Sequence, residues 1–402
     1  MLDPQHSTDL QPAKAGVEVH VQRFSVPFEY PVVFTRNAFG PDNTTFLAVL
    51  RAREPPARHR VAVFVDDGVL NASPALPGAI RRYFAIHAAA LDLVGDIVPV
   101  PGGERVKNDP ASIPTLLKHL ATRSIDRHSF AVAIGGGAVL DAVGFAAAIF
   151  HRGVRHIRFP TTVLAQADAG VGVKNAVNVF GVKNLVGTFA PPFAVINDGA
   201  FIDHLPPREK RSGMVEAVKV GLIRDGGFFR WIEANAAGLA RFTPSLLDTL
   251  IERSAALHMR QITRGGDPFE RGSARPLDYG HWSAHKLETL SGHALSHGEA
   301  VAIGVALDTR YSVLAGRLPD GEDERVHKLL ARLGFELWHD ALLSRREDGR
   351  LMVLQGLEDF RQHLGGELTV TLLEAVGRGV EVHEVDPQLV EAAIGWLSHQ
   401  RR

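Results

Sequence analysis

The chain has 402 residues, 45% hydrophobic and 22% charged, with 44 basic against 45 acidic side chains, a net charge of −1, 19 histidines and no cysteine. Near-neutrality provides no field to hold a polyphosphate backbone, so nucleic acid is excluded as the main partner. Without cysteine there is no disulfide frame, thiolate zinc site or iron–sulfur cluster, and any metal must be held by nitrogen and oxygen, which directs attention to the histidines. The first residues lack the apolar run of a signal peptide and no window reaches the length of a membrane span, so no membrane partner and a cytoplasmic location are expected. Only nine of the basic residues are lysines, against 35 arginines. A lysine therefore carries information here, because an ammonium can lose its proton when buried and a guanidinium cannot; Lys174, Lys183 and Lys219 lie close together in the chain.

In chain order, residues 1–18 are polar, rich in proline and without period, and read as a flexible tail. From 19 to 199, β-rich runs at 61–67, 96–102, 129–137, 156–162 and 193–199 alternate with helical segments such as 110–123 and 138–150, the pattern of a parallel sheet with crossover helices. From 200 to 402 amphipathic helical pattern dominates, at 208–222, 244–264, 281–290 and 297–316, with a late β-like run at 367–372. Two domains follow, an α/β half suited to a nucleotide and a helical half that holds the unusual polar residues.

Gly135, Gly136 and Gly137 join an apolar strand to a helix, with Asp141 four residues on. Such a turn lets the backbone approach a pyrophosphate; a tight turn without a ligand explains it as well. Pro101 to Lys107 forms a second glycine loop, whose Glu104 is placed to hold a ribose hydroxyl or simply to solvate a surface turn. His281 and His285, at i and i+4, share a helix face, and His297 opens the next helical run. Glu216 and Lys219, at i and i+3, sit within the apolar stretch MVEAVKVGLI and need partners, which a metal site or their own ion pair would supply. One carboxylate with two imidazoles leaves coordination positions open and can bind vicinal hydroxyls. Asp168, Lys174, Asn175, Lys183 and Asn184 fall in the glycine-rich stretch GVGVKNAVNVFGVKN, read here as an irregular loop. With Arg152 they would form a cationic pocket for a sugar phosphate.

The stretch from Gly135 to Asn175, with KNLVGTFAPP, RSGMVEAVKVGLI, LDYGHWSAHKLE and SHGEAVAIG, resembles 3-dehydroquinate synthase and the wider sugar phosphate cyclases over about residues 60 to 380. The resemblance implies an α/β fold class with an N-terminal Rossmann-like parallel-sheet NAD-binding domain, a mainly α-helical metal-binding domain and a homodimer. It implies Glu216, His281 and His297 as Zn2+ ligands, with Co2+ also compatible. The NAD site it implies contains Gly135, Gly136, Gly137, Asp141, Thr161 and Thr162, with Asp66, Glu104 and Lys107. It matches Asp168, Lys174, Lys183, Asn184, Lys219 and His285 to catalytic positions, and Arg152 to an arginine that reaches the neighbouring active site. The implied chemistry is transient oxidation by NAD, β-elimination of phosphate, return of the hydride and aldol closure, with no net redox change.

Departures from that pattern bear on the substrate. The arginine that binds a substrate carboxylate in dehydroquinate synthases is replaced by Ala274, with Arg275 one place over. An upstream lysine is Arg260, and an asparagine three residues before the first zinc histidine is Asp278. FRQHLGGEL, with Arg361 and His363, resembles the version in cyclases of sedoheptulose 7-phosphate, whereas Lys174 keeps the dehydroquinate-like identity. The expected activity is therefore conversion of sedoheptulose 7-phosphate to a C7 cyclitol of the 2-epi-valiolone type. The alternatives are a 3-dehydroquinate synthase in which Arg275 binds the carboxylate, and a metal-dependent polyol or glycerol-phosphate dehydrogenase.

Overall fold

The computed structural model describes residues 20–269, 276–363 and 366–401, and only the backbone of Pro276 and His363; the expected tail at 1–18 and Arg275 lie outside the described residues. Seven parallel strands form one sheet. Six run in the spatial order Val32–Thr35, Ala194–Asp198, Arg155–Pro160, Phe130–Gly135, His59–Asp66, Leu91–Leu93, and Val98–Val100 pairs with His59–Asp66. The central strands read as unbroken apolar runs because both faces are covered. Phe130–Gly135 is buried at every residue. One face packs Phe46, Ile80, Tyr83 and Phe159, and the other packs Val106, Leu116, Leu140 and Val143. That is the burial a parallel sheet with helices on both sides requires.

From His59–Asp66 the chain moves outward to Leu91–Leu93 on one side and later returns to Phe130–Gly135 on the other. The strand order reverses between these two, so a crevice opens at their carboxyl ends, where open α/β sheets bind ligands. Asp66 and Gly135 are the last residues of the two strands.

After Asp198 the chain is mainly helical. Helices Pro207–Arg224, Gly226–Ala240, Pro244–Arg264, His281–Leu290 and His297–Leu314 enclose a separate apolar core built around Val218, Leu222, Phe229, Leu250, Ile303 and Leu307. Val370–Ala375 pairs antiparallel with Arg378–Val382 against this core, and Pro387–His399 follows. Among the described residues no helix is long and apolar enough to cross a membrane.

One segment differs from its sequence reading. The stretch read as an irregular loop is a β-hairpin, Lys174–Val179 paired antiparallel with Val182–Phe189. Phe180 and Gly181 take φ of 54° and 75° between the flanking pair Val179 and Val182, two successive left-handed residues as a two-residue hairpin turn demands. The run Val177–Asn178–Val179 carries the strand period, but Phe-Gly is not one of the usual turn dipeptides, so composition masked the element. The hairpin leans on helix Gly137–Ile149 and is tied to the sheet domain by the buried Arg158. That guanidinium donates to the carbonyls of Gly170 (3.1 Å), Gly172 (2.8 Å) and Lys174 (3.1 Å) and to Asn175 Oδ1 (2.8 Å).

Candidate active site between the sheet and the helices

Three close backbone approaches bring the metal-side residues together. Gly298 lies against Ser212, and a β-carbon there would meet the Ser212 carbonyl oxygen at 2.1 Å. The first turn of His297–Leu314 can thus press on Pro207–Arg224 one turn before Glu216. Gly304 opposes Gly280 in the same way, with only 2.0 Å to the Gly280 oxygen, and Gly280 itself is left-handed at φ 79°, a conformation that costs glycine nothing. Gly213 seats Pro207–Arg224 on the backbone of Val163 and Leu164, directly after Thr161 and Thr162 at the sheet edge. The glycines therefore set the distance between the two halves of the site.

Glu216 and Lys219 share one face of Pro207–Arg224, 2% and 4% exposed, and form the ion pair that their spacing allowed. The pair does not complete the carboxylate. Glu216 Oε1 is buried without a hydrogen-bond donor and lies 3.7 Å from both His281 Nε2 and His297 Nε2. The opposite ring nitrogens are each committed: His281 Nδ1 faces the Tyr279 carbonyl at 3.1 Å and His297 Nδ1 faces Glu288 Oε1 at 2.7 Å. An acceptor on Nδ1 leaves the Nε2 lone pair free and aimed at the orphaned oxygen, the arrangement that orients metal-binding histidines. Burial, followed by the charge of Lys219, drives the His281 imidazole well below its ordinary pKa, so it is neutral as a ligand must be. The residues fit a tetrahedral divalent ion with an open position. Their ligand atoms converge within 4.8 Å.

The surrounding charges are fixed. Burial opposes the charge of Lys219, but Glu216, Asp168 and Asp278 outweigh it and keep the ammonium protonated. Burial likewise opposes ionisation of Asp168, but His258, hydrogen-bonded to it, with Lys219 behind, holds the carboxyl well below the usual range. Glu288, despite its burial, is held at about 2 by His297, Lys183 and His285. His285 is exposed beside the ligand set, its ring centroid 5.5 Å from that of His281 and 6.0 Å from that of His297.

At the sheet edge, Gly136 caps Gly137–Ile149 without a side chain; the Val139 N–H turns back to the Gly136 carbonyl at 3.0 Å, which leaves the N–H groups of Gly137 and Ala138 to the crevice. Asp66 accepts from Gly68 N at 2.8 Å and also faces the Gly136 N–H, while burial raises its pKa. Asp66 Oδ1 occupies the space a β-carbon on Gly102 would need, at 2.4 Å. Thr161 N donates to Gly135 O at 3.0 Å, and Thr162 caps Val163–Ala167. Lys107, 4% exposed, donates to Asp141 Oδ2 at 2.8 Å and also bonds Asn184. Glu104 accepts from Asn178 at 2.9 Å. A glycine cradle at a helix N-terminus with carboxylates at the strand ends fits a dinucleotide.

The hairpin closes the remaining side. Lys183 Nζ lies 3.1 Å from Glu288 Oε2 and 3.9 Å from Glu104 Oε1, between the two ends of the cleft. Lys174 begins the first strand of the hairpin and is exposed, and Asn184 sits in the second at φ 57°. Asp278 enters the field of Lys219. Of the other expected substrate residues, Arg152 is exposed after Gly137–Ile149, Arg260 is exposed on Pro244–Arg264, and Arg361 is held by Glu358 at 2.7 and 3.0 Å on its own helix. Residues that sequence reasoning overlooked are Glu288, His258 and Arg158. Glu288 was legible in principle, since it follows His281 by seven residues and His285 by three on one helix face; His258 and Arg158 are brought in only by the fold.

A crevice at a sheet switch point facing a carboxylate–imidazole set defines a two-domain enzyme that joins nucleotide chemistry to metal chemistry. Comparison narrows this class: the description "3-dehydroquinate synthase N-terminal" matches residues 97–212 and "3-dehydroquinate synthase C-terminal" matches 213–352. The chain belongs to the 3-dehydroquinate synthase family of sugar phosphate cyclases. It is 36% identical over 303 residues to a 3-dehydroquinate synthase of Bradyrhizobium sp., covering 72% of this chain and 77% of that one. To a 2-epi-5-epi-valiolone synthase of Streptomyces glaucescens it is 35% identical over 365 residues, covering 85% and 92%. The solved structure of the 2-epi-5-epi-valiolone synthase ValA from Streptomyces hygroscopicus subsp. jinggangensis 5008, with NAD+ and Zn2+ bound, superposes with a TM-score of 0.82 at 25% identity, covering 95% of this chain and all of that one.

Proposed function

We propose that this chain is an NAD- and zinc-dependent, phosphate-eliminating cyclase that converts sedoheptulose 7-phosphate to a C7 cyclitol of the 2-epi-valiolone type. The observation that carries the substrate assignment is Asp278, an acidic residue whose charge acts on Lys219 beside the metal ligands. A carboxylate there repels a carboxylated substrate and accepts hydrogen bonds from hydroxyls. A zinc ion held by Glu216, His281 and His297 would supply Lewis acidity at a substrate hydroxyl, and NAD in the Gly135–Gly137 crevice would take up and return a hydride.

The protein's own groups do the rest. Lys219, kept charged by three carboxylates, stabilises negative charge that develops next to the ligand set. Asp168, kept ionised by His258, accepts a substrate hydroxyl. Lys174, Lys183 and Asn184 present donors from the hairpin to the phosphate, and His285 stands at the open side as a proton carrier. The active form is a homodimer in which the exposed Arg152 reaches the phosphate end of the neighbouring site.

Phosphate release from sedoheptulose 7-phosphate, with NMR of the product, tests this reading; turnover of the carboxylated seven-carbon sugar-acid phosphate instead would overturn it. That outcome is the second reading, 3-dehydroquinate synthase activity, supported by the Bradyrhizobium relative and by Lys174. It predicts that Arg275→Ala raises KM for the acid. Net accumulation of NADH would indicate a dehydrogenase in place of either cyclase.

A further inference from the structure

Two metal-side histidines are oriented in different ways. His281 Nδ1 faces a main-chain carbonyl, that of Tyr279, which no substitution removes. His297 Nδ1 faces a side chain, Glu288 Oε1 at 2.7 Å, and because an ionised carboxylate can only accept, His297 must donate there and keep Nε2 bare toward Glu216. The second oxygen of the same carboxylate, Oε2, accepts from Lys183 Nζ at 3.1 Å. Lys183 is 105 residues away in the chain, on the hairpin of the sheet domain. Glu288 is 11% exposed and Lys183 39%, so the carboxylate is the fixed member of the pair and the lysine the movable one. Val182–Phe189 is otherwise exposed along nearly its whole length.

We infer that Glu288 is a positioning residue with two tasks on its two oxygens: Oε1 sets the tautomer and aim of His297, and Oε2 docks the hairpin to the helical domain through Lys183. The inference rests on the reading of Glu216, His281 and His297 as a metal site. The tasks separate by chemistry. A glutamine at 288 still offers an oxygen to His297 Nδ1–H but no charge to an ammonium, and removing the lysine leaves the His297 contact intact.

The test compares the unaltered protein with Glu288→Ala, Glu288→Gln and Lys183→Met, using zinc affinity by chelator competition and amide exchange across 182–189. Glu288→Ala is expected to weaken zinc binding about 10–100-fold, the effect of losing an outer partner of a metal-bound histidine, and to speed hairpin exchange. Glu288→Gln should restore most of the zinc affinity while the hairpin stays fast. Lys183→Met should speed the hairpin and leave zinc affinity within about twofold of the unaltered value, since it keeps the carboxylate on His297. Zinc affinity in Glu288→Ala equal to that of the unaltered chain, or hairpin exchange unchanged in both Glu288→Ala and Lys183→Met, overturns the inference while leaving the metal reading intact. Failure of the unaltered chain to take up zinc overturns the metal reading and with it the first task.

Discussion

At the sheet edge the groups turned toward the crevice are main-chain N–H groups at a helix start, made accessible because Gly135, Gly136 and Gly137 carry no side chains. At the helical end they are side chains, Glu216, His281 and His297, each aimed by a partner behind it. A backbone site needs the absence of atoms and tolerates little addition; a side-chain site needs orientation and fails when support is removed. The two ends should therefore fail independently under substitution.

The largest effect is expected from Glu216→Gln or His281→Ala. Loss of the Lewis acid removes several kcal/mol of transition-state stabilisation, so phosphate release should fall about 1000-fold or more. Metal content should fall with it and NAD affinity should hold, which equilibrium dialysis and fluorescence titration can check. Joint loss of both ligands would break the comparison.

Gly136→Asp probes the opposite end. An aspartate is a good helix N-cap, so thermal stability should hold or rise slightly. Its charge would occupy the place of a pyrophosphate, weakening NAD about 30-fold, while zinc affinity stays constant. Unchanged NAD affinity would remove the crevice from the nucleotide site.

Lys107→Met tests the support behind the sheet edge. It leaves the Asp141 carboxylate partly buried without its cation and should cost about 2 kcal/mol of stability at pH 8. Burial already raises the Asp141 pKa, so at pH 5 the variant can protonate that group and the loss should shrink. Denaturant titration at the two pH values measures the difference.

Asp308 supports the metal end, accepting from Trp282 Nε1 at 2.8 Å and Gly280 N at 3.0 Å on either side of His281. Burial lifts its pKa to about 7, so the folded state holds this proton more tightly than the unfolded state. Its contribution then falls as pH rises from about 4 toward 7. Asp308→Asn should flatten that part of the metal-free protein's stability profile, a change of roughly 2–3 kcal/mol between pH 5 and pH 8. An unaltered slope would assign the pH dependence elsewhere.

Legibility followed periodicity. Pro244–Arg264 and His281–Leu290 carry the boundaries their patterns suggested, and the apolar runs at 129–137 and 193–199 contain the strands Phe130–Gly135 and Ala194–Asp198. The hairpin did not declare itself, because its identity depends on a turn that places Phe180 in a left-handed conformation and on packing against a distant helix. In the site, Glu216 with Lys219 and His281 with His285 were visible as helical spacings. Glu288 lay on the same face, but nothing local says that its carboxylate faces His297 and Lys183.

The sequence by itself determined the residue types available to a metal, since a chain without cysteine offers only carboxylates and imidazoles, and it determined the glycine turn and the strand–helix alternation, which are local steric properties. Tertiary structure alone decided which of the 19 histidines point at Glu216, how Gly213, Gly298 and Gly304 set the approach of the helices, and that one glutamate joins the metal end to the hairpin. Those are contacts between segments far apart in the chain. Their geometry follows from how distinct apolar cores pack, and no local spacing encodes it.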